Sequence, residues 1–138
     1  MKCQELTEEI IGVFYDVYNE LGHGFLESVY EQAMLIALSD AGLHVDRQLP
    51  ITVHFRGQVV GEFCADIVVN NQVIVEIKAA CAIESAYEAQ IMHYLRATDM
   101  EIGLLMNFGP NRSSNASYMT TNARTDATHR SHGLTRIR

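Results

Sequence analysis

Residues 63–78 read F-C-A-D-I-V-V-N-N-Q-V-I-V-E-I-K, two apolar, β-branched runs joined by Asn70 and Asn71, and this stretch decides the fold. Asparagine tolerates the left-handed backbone that a tight turn requires, so a pair of them between two such runs predicts a hairpin. Side chains alternate along a strand, which places Ile74, Glu76 and Lys78 together on one face of the second run. In the first run the same alternation predicts Cys64, Asp66 and Val68 on one face and Phe63, Ala65, Ile67 and Val69 on the other.

Upstream, Ile51 to Phe55 reads as a strand, Arg56-Gly57-Gln58 as a turn, and Val59 to Ile67 or Val69 as the next strand, giving an antiparallel meander with Val73 to Lys78. Ahead of the meander lie two helices. Thr7 suits an N-cap, and Ile10, Ile11, Phe14, Val17, Tyr18 and Leu21 recur at helical spacing until Gly22 and Gly24. Leu26 to Ser39 repeats the pattern and ends near Gly42. Beyond the meander, residues 84–97 return to helical character and Glu101 to Phe108 form a short apolar run, the length of a buried strand. The order ααβββαβ predicts an α/β fold with helices flanking a mixed central sheet.

A chain of 138 residues with 48% apolar and 20% charged residues has the size and makeup of one globular domain, large enough to hold together without metal or disulfide. Any cofactor is then expected to be functional. The three cysteines, Cys3, Cys64 and Cys81, lack CxxC spacing and read as reduced thiols. No apolar run approaches the roughly 20 residues that cross a bilayer, and the opening MKCQELTEEI places acids where a signal peptide is apolar, so a cytoplasmic protein without membrane contact is expected. The net charge of -7 conceals a division: residues 1–110 hold 16 of the 17 acids and five of the ten bases, whereas 111–138 hold five arginines against Asp126. The composition also changes there, to Ser, Thr, Asn and Arg without apolar period, so a domain over 1–110 and a mobile basic tail over 111–138 are expected. A strongly acidic core binds polyanions poorly unaided, so a nucleic-acid function would lean on bound cations, local basic spots or the tail.

If hairpin register places Asp66 beside Glu76, two carboxylates and the Lys78 amine converge at the edge of an apolar sheet. Two close carboxylates repel and lose hydration, and such a site calls for a compensating cation. Magnesium takes oxygen ligands and draws only one or two carboxylates from a protein. Asp66 and Glu76 would be its ligands, the Ile77 carbonyl a third oxygen, with manganese as a substitute ion and Lys78 placed to stabilise charge on a phosphate. The plainer alternative is a surface salt bridge between Lys78 and one acid. Gln90 and Tyr94, at i and i+4, share a helix face and could complete a polar site, or else be a solvent-facing amide and a core aromatic. Glu27, Tyr30 and Glu31 form one patch on the second helix, where Glu31 reads as an ordinary solvated residue. His23, His54 and His93 have no ligand spacing with one another and read as surface or satisfied residues.

The ordered set G-x-x-E-x-x-Y at Gly24, Glu27 and Tyr30, then Asp66, E-I-K at 76–78, Q-x-x-x-Y at 90–94 and G-L-L-M-N-F-G at 103–109 closely resembles the GxxExxY proteins, placed in the PD-(D/E)XK nuclease superfamily. The resemblance spans about residues 6 to 109. It implies a restriction-endonuclease-like αβββαβ core and a metal-dependent nuclease acting on nucleic acid, with DNA favoured. It implies Asp66 and Glu76 at the metal, Lys78 as catalytic, Glu27 in support, and Gln90 and Tyr94 completing the site as in RecB-like nucleases. Ala65 stands where the superfamily name has proline, Cys64 where a basic residue is expected, and Tyr87 where a histidine often precedes Q-x-x-x-Y. The basic strand that usually closes the fold is absent after Gly109 or displaced to G-L-T-R-I-R at the end. The departures, with the acidic core, support an alternative: a noncatalytic nucleic-acid- or protein-binding module that keeps the nuclease fold. At this size a target-reading domain would have to come from the tail or a partner protein, and a homodimer is a further arrangement the reading admits.

Overall fold

The turn read from Asn70 and Asn71 forms with φ of 53° and 55°, closed by a 2.9 Å hydrogen bond from Gln72 N to Val69 O. Both central residues are left-handed, as a tight hairpin turn that matches strand twist requires. The computed structural model describes residues 3–110 and 116–121 together with the backbone of 129 and 130. Helices α1 (Cys3–Leu21) and α2 (Glu27–Asp40) precede β1 (Val45–Phe55), β2 (Gln58–Val69) and β3 (Val73–Lys78). Helix α3 (Ser85–Arg96) follows, then β4 (Ile102–Asn107), β5 (Ala116–Thr120) and β6 (His129–Arg130). The strands lie in chain order in one sheet, with β3 and β4 parallel and every other pair antiparallel. A parallel step needs a crossover, and α3 supplies it. The expected α/β architecture with a mixed sheet and flanking helices is present.

The sheet is covered on both faces. Helices α1 and α2 bury Ile10, Phe14 and Met34 against Val73, Val75, Ile77 and Met106, while α3 buries Ile91, Tyr94 and Leu95 against Ile74 and Leu105. On the α1/α2 side Phe108 stands between the Phe14 ring at 4.7 Å, edge-on, and the Tyr30 ring at 4.1 Å, stacked. On the α3 side, β4 approaches the helix so closely that a Cβ on Gly103 would lie 2.3 Å from Ile91 Cγ2.

Several boundaries differ from the sequence reading. Helix α1 begins at Cys3, so Thr7 is not its cap but a buried interior residue whose Oγ1 has no hydrogen-bond partner among the described residues. Strand β1 begins at Val45, ahead of Ile51, and carries Pro50 on the outer edge of the sheet, where a missing N–H is tolerated. The boundary at residue 110 is also corrected: Ala116–Thr120 extends the sheet beyond β4, with Ala116, Ser117, Met119 and Thr120 buried, so this part of the expected tail belongs to the domain. The G-L-T-R-I-R segment falls outside the described residues.

The strict alternation expected for β2 fails at Asp66. Ala65 packs on the α3 side and Ile67 on the α1/α2 side, although both are odd-numbered, and Val68 returns to the α3 side. Strand β1 turns over in step: Val45 faces α1/α2, Leu49 faces α3, and Gln48 between them takes φ 54°. The pairing Arg47↔Ile67 and Leu49↔Ala65 keeps its register across the change. A left-handed residue in a strand thus rotates the whole hairpin arm about Gln48 and Asp66.

Candidate active site

The ladder between β2 and β3 holds only from Val69↔Val73 to Ile67↔Val75. At the next position, where Asp66 and Glu76 would face each other, side chains take over from the backbone. Asp66 N–H donates to Glu76 Oε2 at 2.9 Å and Ile77 N–H donates to Asp66 Oδ2 at 2.9 Å. Each acid therefore holds the opposite strand's backbone, satisfying N–H groups that the splaying strands leave without ladder partners. The two carboxylates meet at this point, one oxygen of each engaged and the other outside these bonds.

Their protonation follows from the setting. Burial, reinforced by the Asp66 charge, pushes Glu76 up to about 8 against the opposing pull of the Asp66 N–H and the Lys78 ammonium. Asp66 is raised as well, first by burial, against the Ile77 N–H, with Glu31 and Glu27 adding repulsion and Lys78 relieving some of it. Burial and the fields of Glu76, Asp66 and Cys64 push Tyr94 up to about 12. Its phenol keeps its proton at neutral pH.

Lys78 is half-buried on β3, its Nζ 4.8 Å from the centroid of the Tyr87 ring. Among the described residues it makes no close ion pair with either acid, so the surface salt bridge of the plainer alternative does not form. The loop after β3 is clamped by Asn107 of β4, whose side-chain amide accepts from Ala80 N at 2.9 Å and donates to Ala80 O at 3.0 Å. Gly109 completes the clamp: a Cβ there would meet Ala80 O at 2.0 Å, and Tyr18 OH donates to the Gly109 carbonyl. The clamp fixes the end of the strand that carries Glu76 and Lys78.

The residues expected at the site fall into two groups. Asp66, Glu76, Lys78 and Tyr94 come together electrostatically, and Phe63 stacks on Tyr94 at 4.2 Å. Glu27 and Gln90 are exposed; Glu27 acts on Asp66 through its charge, and no hydrogen bond joins Gln90 to Asp66 or Glu76. Glu31, read from sequence as an ordinary solvated residue, is corrected by the structure. Its side chain is only 12% exposed, raises both Asp66 and Glu76, and accepts from Arg47 Nε at 3.2 Å and Gln48 Nε2 at 2.9 Å. Only its i+4 spacing from Glu27 pointed to it; the partners that turn it inward lie on β1. Tyr30 is structural: its hydroxyl donates to Gly22 O at 2.5 Å and accepts from Phe25 N at 3.2 Å, fixing the loop that enters α2, in which Gly24 takes φ 115°.

Among the described residues no group of three His, Cys, Asp or Glu side chains gathers at metal-binding distance. A pair of carboxylates with all-oxygen chemistry is nonetheless the donor set that suits magnesium, which keeps several waters. Burial raises both carboxylates, the Asp66 charge adds to Glu76 and the Glu31 charge to both, and a divalent cation between them would offset that cost. No helix among the described residues is long and apolar enough to cross a membrane. No curated protein and no solved structure gives a significant match to the chain. Residues 4–118 match the family profile described as the PD-(D/E)XK nuclease superfamily, and the segment takes in all the residues gathered above. The chain belongs to the PD-(D/E)XK nuclease superfamily, whose members are in general phosphodiesterase nucleases and typically use divalent metal ions.

Proposed function

We infer that this protein is a metal-dependent nuclease that hydrolyses phosphodiester bonds of nucleic acid, with DNA as the favoured substrate. The observation that carries the reading is the reciprocal bonding of Asp66 and Glu76 across the splayed strands, with Lys78 on the same edge and unpaired with either acid. Asp66 and Glu76, with the Ile77 carbonyl, would hold magnesium or manganese, and the ion when bound would supply Lewis-acid chemistry at the phosphate. Water adds to phosphorus, one P–O bond breaks, and a phosphomonoester and a hydroxyl result. Lys78 stabilises the negative charge that develops on the phosphoryl oxygens. Tyr94, protonated at neutral pH, would offer its phenol as a hydrogen-bond donor to the substrate beside the carboxylates. Gln90, one turn earlier at the exposed mouth, contacts the phosphate through its amide, and Glu27 and Glu31 hold negative potential that favours cation entry.

The test is cleavage of labelled DNA with and without magnesium or manganese. Lys78→Ala is expected to lower kcat by about 10²–10³-fold with an unchanged melting temperature. Asp66→Asn, which keeps an acceptor for the Ile77 N–H, is expected to abolish metal-dependent cleavage. Undiminished cutting by both variants would overturn the assignment.

The second reading, a noncatalytic binding module on the same fold, draws on Cys64 and Tyr87, which stand where basic groups are expected, and on the acidity of residues 1–110. Calorimetry showing no magnesium or manganese binding, together with no cleavage of any nucleic acid, would favour it.

A further inference from the structure

Among the described residues, the acidic body of this protein contains a groove with cationic character and no acid in its lining. Of the bases in the described part of residues 1–110, Arg47 is held by Glu31, Arg56 lies over the Phe55 ring at the β1–β2 tip, and Lys78 stands beside the carboxylates. The fourth, Arg96, ends α3 and is exposed. With His93 of the same helix it faces His54, Val53 and Phe63 of the β1–β2 hairpin across a groove of about 570 Å³.

Three features connect this groove to the carboxylates. First, Phe63 stacks on Tyr94, and the Tyr94 hydroxyl lies in the field of Glu76 and Asp66. Phe63 is three residues before Asp66 on β2, roughly 10 Å along the strand. Second, β3 pairs with β2 only through residues 67–69, so the rest of the hairpin overhangs α3 and forms a wall. Third, the register between β1 and β2 shifts between Val53 and His54, where His54 enters the lining. A bulge re-aims a side chain, and bulges occur disproportionately beside active sites.

We propose that this groove holds a single strand of nucleic acid leading away from the scissile phosphate, with Arg96, His93 and His54 donating to its phosphates and Phe63 forming an apolar floor for a base. The proposal rests on the nuclease reading and adds to it the form of the substrate. A cavity of this size is far too small for a duplex. A guanidinium with two imidazole N–H donors matches phosphate oxygens, and an aromatic floor suits an unpaired base whatever its identity. In a chain with a net charge of -7, an acid-free strip is where a polyanion meets least repulsion.

The experiment titrates the full chain, in EDTA at low salt, into fluorescein-labelled oligothymidylate and follows anisotropy as salt is raised; cleavage of the same strand is then measured with magnesium. Arg96→Glu is expected to weaken binding about tenfold and to reduce the salt slope by about 0.7 for each phosphate it leaves without a cation, with KM raised and kcat within a few-fold. Arg96→Lys is expected to restore most of the affinity, and the His54→Ala/His93→Ala pair to weaken binding more modestly. Arg96 is exposed, so misfolding would not explain the weaker binding, and equal melting temperatures check this. Unchanged affinity and salt slope in both the Arg96→Glu and the double-histidine proteins would overturn the groove while leaving cleavage intact. Binding that depends on Arg96 in a chain that cuts nothing would support the groove and remove the nuclease reading. A parent chain that neither binds nor cuts single strands would overturn the groove, while its cleavage of duplex DNA would keep the nuclease reading.

Discussion

The two faces of the sheet do different work. The α1/α2 face is thick and aromatic: Phe14, Tyr18, Tyr30 and Phe108 pack on one another, and the two tyrosine hydroxyls tie down the loops at Gly22 and Gly109. The α3 face is thinner and carries the ionisable groups, with Glu76, Lys78 and Tyr94 on it and an open groove beside it. Close packing on one side lets the other side bear the cost of crowded carboxylates without losing its geometry.

The largest effect that would test this division is on the thick face. Phe108→Ala is expected to cost about 3–5 kcal/mol, read as a lower midpoint in denaturant, because three aromatic neighbours lose their common partner. A loss below about 1 kcal/mol would mean that the aromatic layer is not the scaffold. On the thin face the effect depends on pH. Glu76 holds its proton in the folded chain up to about 8 but loses it near 4.5 when unfolded, so between these values the native state binds more protons. Stability of the metal-free protein therefore falls as pH rises from about 4.5 to about 8 and levels off above. Glu76→Gln is expected to flatten that fall and raise stability at pH above 8 by about 1–3 kcal/mol, while abolishing metal binding. A profile of unchanged slope would show that Glu76 is not strained. The smallest effect belongs to the rim: Arg47→Ala, removing a partner 55% exposed, is expected to change stability by less than about 1 kcal/mol.

The contrast also separates what sequence reveals from what it hides. The Asn70-Asn71 turn, the E-x-K strand and the helical periods are local, and each was legible because neighbouring residues alone determine it. Strand β5 was not, since A-S-Y-M-T lies among Ser, Thr and Asn without an apolar period and becomes a strand by pairing with β4. The turnover at Asp66 was hidden because it depends on Gln48, a residue on another strand, adopting a left-handed backbone. The part played by Glu31 was hidden likewise, for its hydrogen-bond partners Arg47 and Gln48 are 16 and 17 residues away. Of the expected site, the pair Asp66 and Glu76 depended only on hairpin register. The places of Gln90 and Glu27 depended on how far each helix end reaches, which periodicity does not give.

The turn at Asn70 and Asn71 sets the phase between two acids that carry the proposed chemistry. Its φ values admit few residues, and Asn70 also anchors β1, donating from its N–H to His44 O and accepting from His44 N through Oδ1, each at 2.8 Å. One residue more or fewer in that bend would slide β3 by a single step along β2 and turn Glu76 toward the aromatic layer. The hairpin bend is thus the molecule's gauge block: its length decides whether the Asp66 and Glu76 side chains meet or lie on opposite faces of the sheet.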